Sequence, residues 1–210
     1  MAKLKTITQN SNLIDLNKTG ENRLVFTRGG RYTVFFYNLS GEFSFDMKVS
    51  GIHLDIFGLF IGKADRQFKV HTVQNHIAPG STSNLFIKGV FYDASKFHYE
   101  GLIRIEKKAQ KSHAYQKNQN LILSNDCFVD SRPFLEILAN DVFCTHGSTT
   151  GRLNKEQLNY LHLRGLSPKD AKEVLIDGFI RDIFHRVEGA GYRNEIKKYK
   201  DIFPNHSFIQ

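Results

Sequence analysis

The stretch Phe43-Ser44-Phe45-Asp46-Met47-Lys48-Val49-Ser50-Gly51-Ile52-His53-Leu54-Asp55-Ile56 decides the fold. Apolar residues occupy every second position, with Ser44, Asp46 and Lys48 between them, and the same period resumes at Ile52 after Ser50-Gly51. A period of two is that of a strand with one buried and one outward face. It recurs along the chain, at Phe68 and Val70 continuing to Val73, then Leu85 and Ile87, Phe97 and Tyr99, Ile103 and Ile105, Leu121 and Leu123, Leu135 and Ile137. Turn formers punctuate the runs: Ser40-Gly41, Pro79-Gly80-Ser81, Asn125-Asp126 and Asn140-Asp141. Many short strands without a helix-length segment between them indicate a mainly β architecture, a sandwich, a barrel or a β-solenoid. Polar segments preceding apolar triplets, Ser83-Asn84-Leu85-Phe86-Ile87 and Asn118-Gln119-Asn120-Leu121-Ile122-Leu123, favour the solenoid, with about one coil per repeat.

The period changes near Gly151. Asn154-Lys155-Glu156-Gln157 has the form of a capping box, with Asn154 as N-cap and Gln157 reaching back. Leu158 and Leu161 share a face, and Gly165 suits the residue after the helix end. A second helix is expected from Ser167, with Pro168 at its first position. Its apolar stripe is Ala171, Val174, Leu175, Phe179, Ile180, Ile183, Phe184 and Val187. The expected organisation is an N-terminal segment (1–22), a β-solenoid core (23–151), and a small C-terminal helical domain with a tail (152–210) that ends its pattern at Pro204.

With 40% hydrophobic and 24% charged residues over 210 positions, the chain is a folded one rather than disordered. Two cysteines cannot build a disulfide framework. The longest apolar stretch, Ile56 to Gly62, is far too short to span a membrane, and the start shows no secretory signal. A cytoplasmic location is therefore expected. The formal charge is +8. Its dense runs are Lys107-Lys108 with Lys111, and Lys197-Lys198-Tyr199-Lys200. Neither accompanies a zinc-finger spacing or an RNA-binding aromatic motif, so nucleic acid is a minor alternative. No phosphate-binding loop, G-x-S-x-G elbow or H-E-x-x-H motif occurs. A β-helix enzyme acting on polysaccharide is a second alternative, but the acidic residues are scattered rather than paired.

Lys108-Ala109-Gln110-Lys111-Ser112-His113-Ala114-Tyr115-Gln116 resembles the KAQ-x-SHA-x-Q signature of the SufB/SufD family, scaffold subunits of SUF iron–sulfur cluster assembly. Further segments follow in register: Asn120 to Ser124, Arg132 to Ile137, Cys144-Thr145-His146-Gly147-Ser148-Thr149-Thr150-Gly151, Leu158 to Leu166, then Ala171 and Gly178-Phe179. The resemblance runs from about Phe91 to Val187. It implies a right-handed parallel β-helix followed by a small helical domain, and a non-enzymatic scaffold that handles an iron–sulfur cluster in transit. It also implies two kinds of partner: a SufC-like ABC ATPase docking on the C-terminal helices, and either a second copy or a SufB-like paralogue as dimer mate. The family's usual N-terminal helical region is not matched, so the resemblance is to a shortened member. Asn118 stands where SufB-like chains carry a cysteine, and Gly147 where they carry a glutamate, so the likeness is to SufD. His146 is the residue the resemblance places at a cluster site between subunits.

On a strand, Cys144 and His146 project from one face roughly 6.5–7 Å apart. That spacing lets both reach one cluster or metal, and thiolate and imidazole are apt ligands for iron. A packed thiol beside a structural histidine fits the spacing equally well. Cys127, on the turn after Asn125-Asp126, reads as a packing or exposed thiol. His113 reads as a hydrogen-bonded structural residue, and Arg132 with Glu136 as a ladder pair. His71, His76 and His98 show no ligand spacing.

Overall fold

The computed structural model describes residues 3–8 and 13–201. The tail at Pro204 lies outside the described residues. Twelve strands run in two six-stranded, wholly parallel sheets. The odd sheet has the order β1 (Leu4–Ile7), β3 (Arg23–Phe26), β5 (Gly41–Met47), β7 (Gln67–His76), β9 (Lys96–Ile105) and β11 (Phe128–Ile137). The even sheet holds β2 (Ile14–Asp15), β4 (Gly30–Tyr37), β6 (Ile52–Gly62), β8 (Thr82–Phe91), β10 (Ser112–Ile122) and β12 (Val142–Gly151). The chain alternates between sheets and each inner strand pairs with those two places before and after it, which is a β-solenoid. Hydrogen-bonded neighbours on adjacent coils lie 29 residues apart at Asp55 and Asn84, 31 at Gln110 and the Asp141 amide, and 30 at Asn120 and Thr150. The sheets reach further toward the N-terminus than the alternation indicated, because β1 and β2 add to their ends within residues 1–22. Both are too short for a periodic signal.

The lumen is filled from alternate positions. Tyr32, Val34 and Phe36, then Phe43, Phe45 and Met47, then Ile52, Leu54, Ile56 and Phe60 form one buried cluster with Phe68, Leu85, Ile87, Phe91, Phe97 and Tyr99. Gly58 takes a lumen position because a Cβ there would lie 2.6 Å from Phe36 Cζ of the preceding coil. From β7 onward the lumen changes chemistry. Thr72, Gln74 and His76 point inward, and Val73, expected in the apolar face, points outward. Ser83, Gln116, Asn118 and Asn120 are likewise buried.

Four helices complete the described chain: α1 (Leu16–Thr19), α2 (Lys155–Leu163), α3 (Pro168–Gly189) and α4 (Lys197–Lys200). Asn154 caps α2 by accepting from the Glu156 and Gln157 amides. The Gln157 side chain makes no return bond among the described residues. Gly165, at φ +92°, closes the helix, its N–H donating to His162 O while Leu166 N–H reaches Leu161 O. Ser167 caps α3, accepting from Asp170 N–H.

Helix α3 does not cover the end of the solenoid, as an end-capping role would require. It lies on the outer face of the even sheet. Ile180, Ile183, Phe184 and Val187, joined by Ile196 and Tyr199, pack on Phe35, Phe57, Leu59, Ile61 and Val90. The even sheet is therefore buried on both faces, which is why Ile56 to Ile61 is a continuous apolar run. Leu121 and Leu123 also belong to this outer layer rather than to the lumen. Lys88 projects from the same face into α3, where its ammonium donates to Phe179 O (3.0 Å) and pairs with Asp182 (2.8 Å). Burial pushes the Lys88 pKa down despite that carboxylate. The basic run 197–200 is part of this packing: Tyr199 donates its hydroxyl to the buried Asp15, Lys198 lies 3.5 Å from that carboxylate, and Lys200 pairs with Glu188.

Candidate functional site

The far end of the solenoid is formed by β11 and β12. Each pairs on one side only, β11 with β9 and β12 with β10. In register, Cys144 stands beside Ala114 and His146 beside Gln116. Ala114 and Gln116 face the lumen, so Cys144 and His146 share the lumen side of the last rung. Their environments differ. Cys144 packs on Ile103, Ile105, Ala109, Ala114 and Ala139, and burial pushes its thiol up to about 11. It holds its proton at neutral pH. His146 is exposed and its ring nitrogens have no hydrogen-bond partner among the described residues.

Around them the last coil is uncovered. Leu135 and Ile137 face the lumen side yet remain 40% and 39% exposed, and Phe128, Phe134, Leu138 and Phe143 are exposed at the edges. Beyond His146 the rung turns polar, and Ser148 Oγ donates to Ser131 Oγ across the two strands at 2.9 Å. One layer deeper, Asn120 Nδ2 donates to Asn118 Oδ1 and Thr150 Oγ1. Gln116 Oε1, Asn118 Nδ2 and Asn120 Oδ1 have no partner among the described residues.

The other residues singled out in sequence fall elsewhere. Cys127 leans on the core and donates to Asp93 O at 3.3 Å, as a packing thiol does. His113 points outward and lies against Phe143, its ring centroid 6.0 Å away, and the His113 ring nitrogens have no hydrogen-bond partner among the described residues. Arg132 and Glu136 do not pair. Arg132 binds Asp130 at 2.7 Å, and Glu136 lies 3.7 Å from Arg104 on the neighbouring strand. His76, given no role in sequence, is buried in the lumen with Nε2 2.8 Å from Ser83 Oγ. The one advance sign of it was the strand phase carried on from Phe68 and Val70. No three His, Cys, Asp or Glu side chains among the described residues are grouped to hold a metal ion.

The family model for SUF system FeS cluster assembly, SufBD core domain, matches residues 2–179. The chain belongs to the SufBD family. It is similar to the iron–sulfur cluster assembly protein SufD of Escherichia coli, 33% identical over 52% of the chain and 26% of that protein. It is also similar to SufD of Bacillus subtilis (27%, over 70% of the chain and 33% of the relative) and to SufB of the same organism (30%, over 50% and 23%). The aligned part thus spans a quarter to a third of the length of these SufBD relatives. The last coil, β10 to β12, carries the family-like segments Lys108 to Gln116 and Cys144 to Gly151. Among the described residues no helix is long and apolar enough to cross a membrane.

Proposed function

We propose that the chain is a non-catalytic, SufD-like scaffold subunit of a cytoplasmic iron–sulfur cluster assembly complex. It pairs through its open end with a second copy or a SufB-like paralogue, and it docks a SufC-like ABC ATPase on its C-terminal helices. The uncovered last coil carries this reading. Two unpaired strand edges bordered by exposed Phe134 and Phe143 are a surface that a folded chain ordinarily covers or blunts. The unpartnered amides of Gln116, Asn118 and Asn120 add to this, because a buried polar atom left unpaired costs about 1–3 kcal/mol.

His146 is the ligand that the open end presents, with a lone pair free to reach a cluster. Cys144 is the auxiliary one, since its thiol must first lose its proton, as soft-metal ligation requires. Two residues fall short of a four-ligand site, so the pairing partner supplies the rest and the cluster is cargo held between subunits. Asn118 and Gly147, in place of the cysteine and glutamate of SufB-like chains, favour a heteromer.

Helix α2 offers the ATPase an apolar outer face, with Leu163 88% and Tyr160 57% exposed. On α3, Arg181 is paired with Asp177. Because α3 is packed along β4, β6 and β8, force applied to the helices passes into the coil wall and reaches the open end. Co-purification with a SufC-like ATPase and a SufB-like chain, followed by size and iron content, tests the proposal. A complex that loads iron supports it. A monomer that binds neither partner overturns it.

A further inference from the structure

A cleft of about 640 Å³ lies between α2, α3 and the ends of β8 and β10. Its apolar lining comes from Tyr92, Ile122, Leu123, Leu153, Leu158 and Ile176. Arg152, Lys155, Lys169 and Lys172 surround it, against a single carboxylate, Glu173. Arg152 is held by Asn125 Oδ1 at 2.9 Å. Lys155, Lys169 and Lys172 have no carboxylate within ion-pair distance among the described residues. Four cations around one carboxylate leave an excess of positive charge that favours an anion. A fifth cation, Lys63, sits 5.6 Å above the Tyr92 ring.

The two helices add to the same field. Lys155 opens α2, and Pro168 and Lys169 open α3, so both helices turn their first residues, the positive ends of their dipoles, to this cleft. The volume is within the range of small-molecule sites, and an apolar floor with a few convergent charged groups is their usual make-up.

We propose that this cleft binds a small organic anion with an apolar body, its carboxylate or phosphate head among Lys155, Lys169 and Lys172 and its body on Leu123, Leu158 and Ile176. The site is separate from the open end and does not depend on cluster assembly.

Calorimetric titration of the full chain with octyl phosphate and with octanoate, each below its micelle concentration, tests this. Inorganic phosphate and octanol serve as the head and body alone. We expect one-to-one saturable binding of at least one amphiphile, weaker by about tenfold or more for either half alone. The double variant Lys155→Glu/Lys172→Glu should lose about tenfold or more in affinity while its thermal unfolding stays unchanged. The charge-matched Lys48→Glu/Lys107→Glu, at exposed positions elsewhere, should bind as the parent does. The stronger amphiphile identifies the head group. Absence of saturation with both amphiphiles, equal affinity in the cleft variant, equal loss in the control, or inorganic phosphate binding as tightly as octyl phosphate would each overturn the proposal.

Discussion

His76 makes the solenoid lumen sensitive to acid. Buried in the lumen against Ser83, it has its pKa lowered by burial from 6.5 to about 4. The unfolded chain takes up a proton near pH 6.5 and the folded one does not until about pH 4, so stability is full above 6.5 and falls as pH drops through that window. The integrated loss is about 3 kcal/mol. Urea unfolding at pH 7 and pH 4.5 should show it, and His76→Gln should flatten the difference; an unchanged slope in the variant would assign the loss to other groups. Gly101 is constrained by the same polar lumen. A Cβ there would lie 2.3 Å from both Tyr99 Oη and Gln116 Nε2, so Gly101→Ala should lower stability by about 1–3 kcal/mol in the same assay. Cys144 and His146 were legible as a pair because residues two apart on a strand share a face. The lumen amides and His76 were not, because a period-two reading assigns polar residues to the outside. His113, expected as a hydrogen-bonded structural residue, instead follows its outward strand phase and lies against Phe143.

Helix α3 shows what an element's own sequence contains and what it omits. Ser167, Pro168 and Asp170 mark its start, and the stripe from Ala171 to Val187 marks its buried side, all readable from local chemistry. Its docking site is written in the other partner, in the unbroken run Ile56 to Ile61 of β6, where alternation fails because both faces are covered. Phe184, 2% exposed, packs toward Phe35 with ring centroids 6.5 Å apart. Phe184→Ala should cost about 3–5 kcal/mol in urea unfolding, and a loss below 1 kcal/mol would mean that the helix is only loosely attached. At the Lys88–Asp182 contact the two partners should respond unequally. Asp182→Ala strands a buried ammonium and should cost about 1–2 kcal/mol, moderated because Asp182 is 40% exposed. Lys88→Met removes the charge together with its need for a partner and should be near neutral. Equal losses for the two would show that the pair itself, rather than the burial of Lys88, sets the energetics.

At the scale of the whole molecule, each sheet ends in strands paired on one side, β1 and β2 at the first end and β11 and β12 at the open end. At the first end, the Tyr199 hydroxyl on Asp15 joins residues 184 apart in sequence. The open end leaves β11 and β12 unpaired on one side, with Phe134, Phe143 and His146 all exposed. If pairing uses this end, Phe143→Lys should abolish the assembly seen by light scattering while changing monomer stability by no more than about 0.5 kcal/mol; persistence of the assembly would place the interface elsewhere. The most direct measurement is the iron and acid-labile sulfide content of the complex assembled with His146→Ala, set beside its size and the thermal stability of the isolated subunit. An exposed imidazole without hydrogen-bond partners among the described residues should leave folding and assembly intact and lower the cluster content when removed. Full cluster content in the His146→Ala complex would contradict a ligand role for His146.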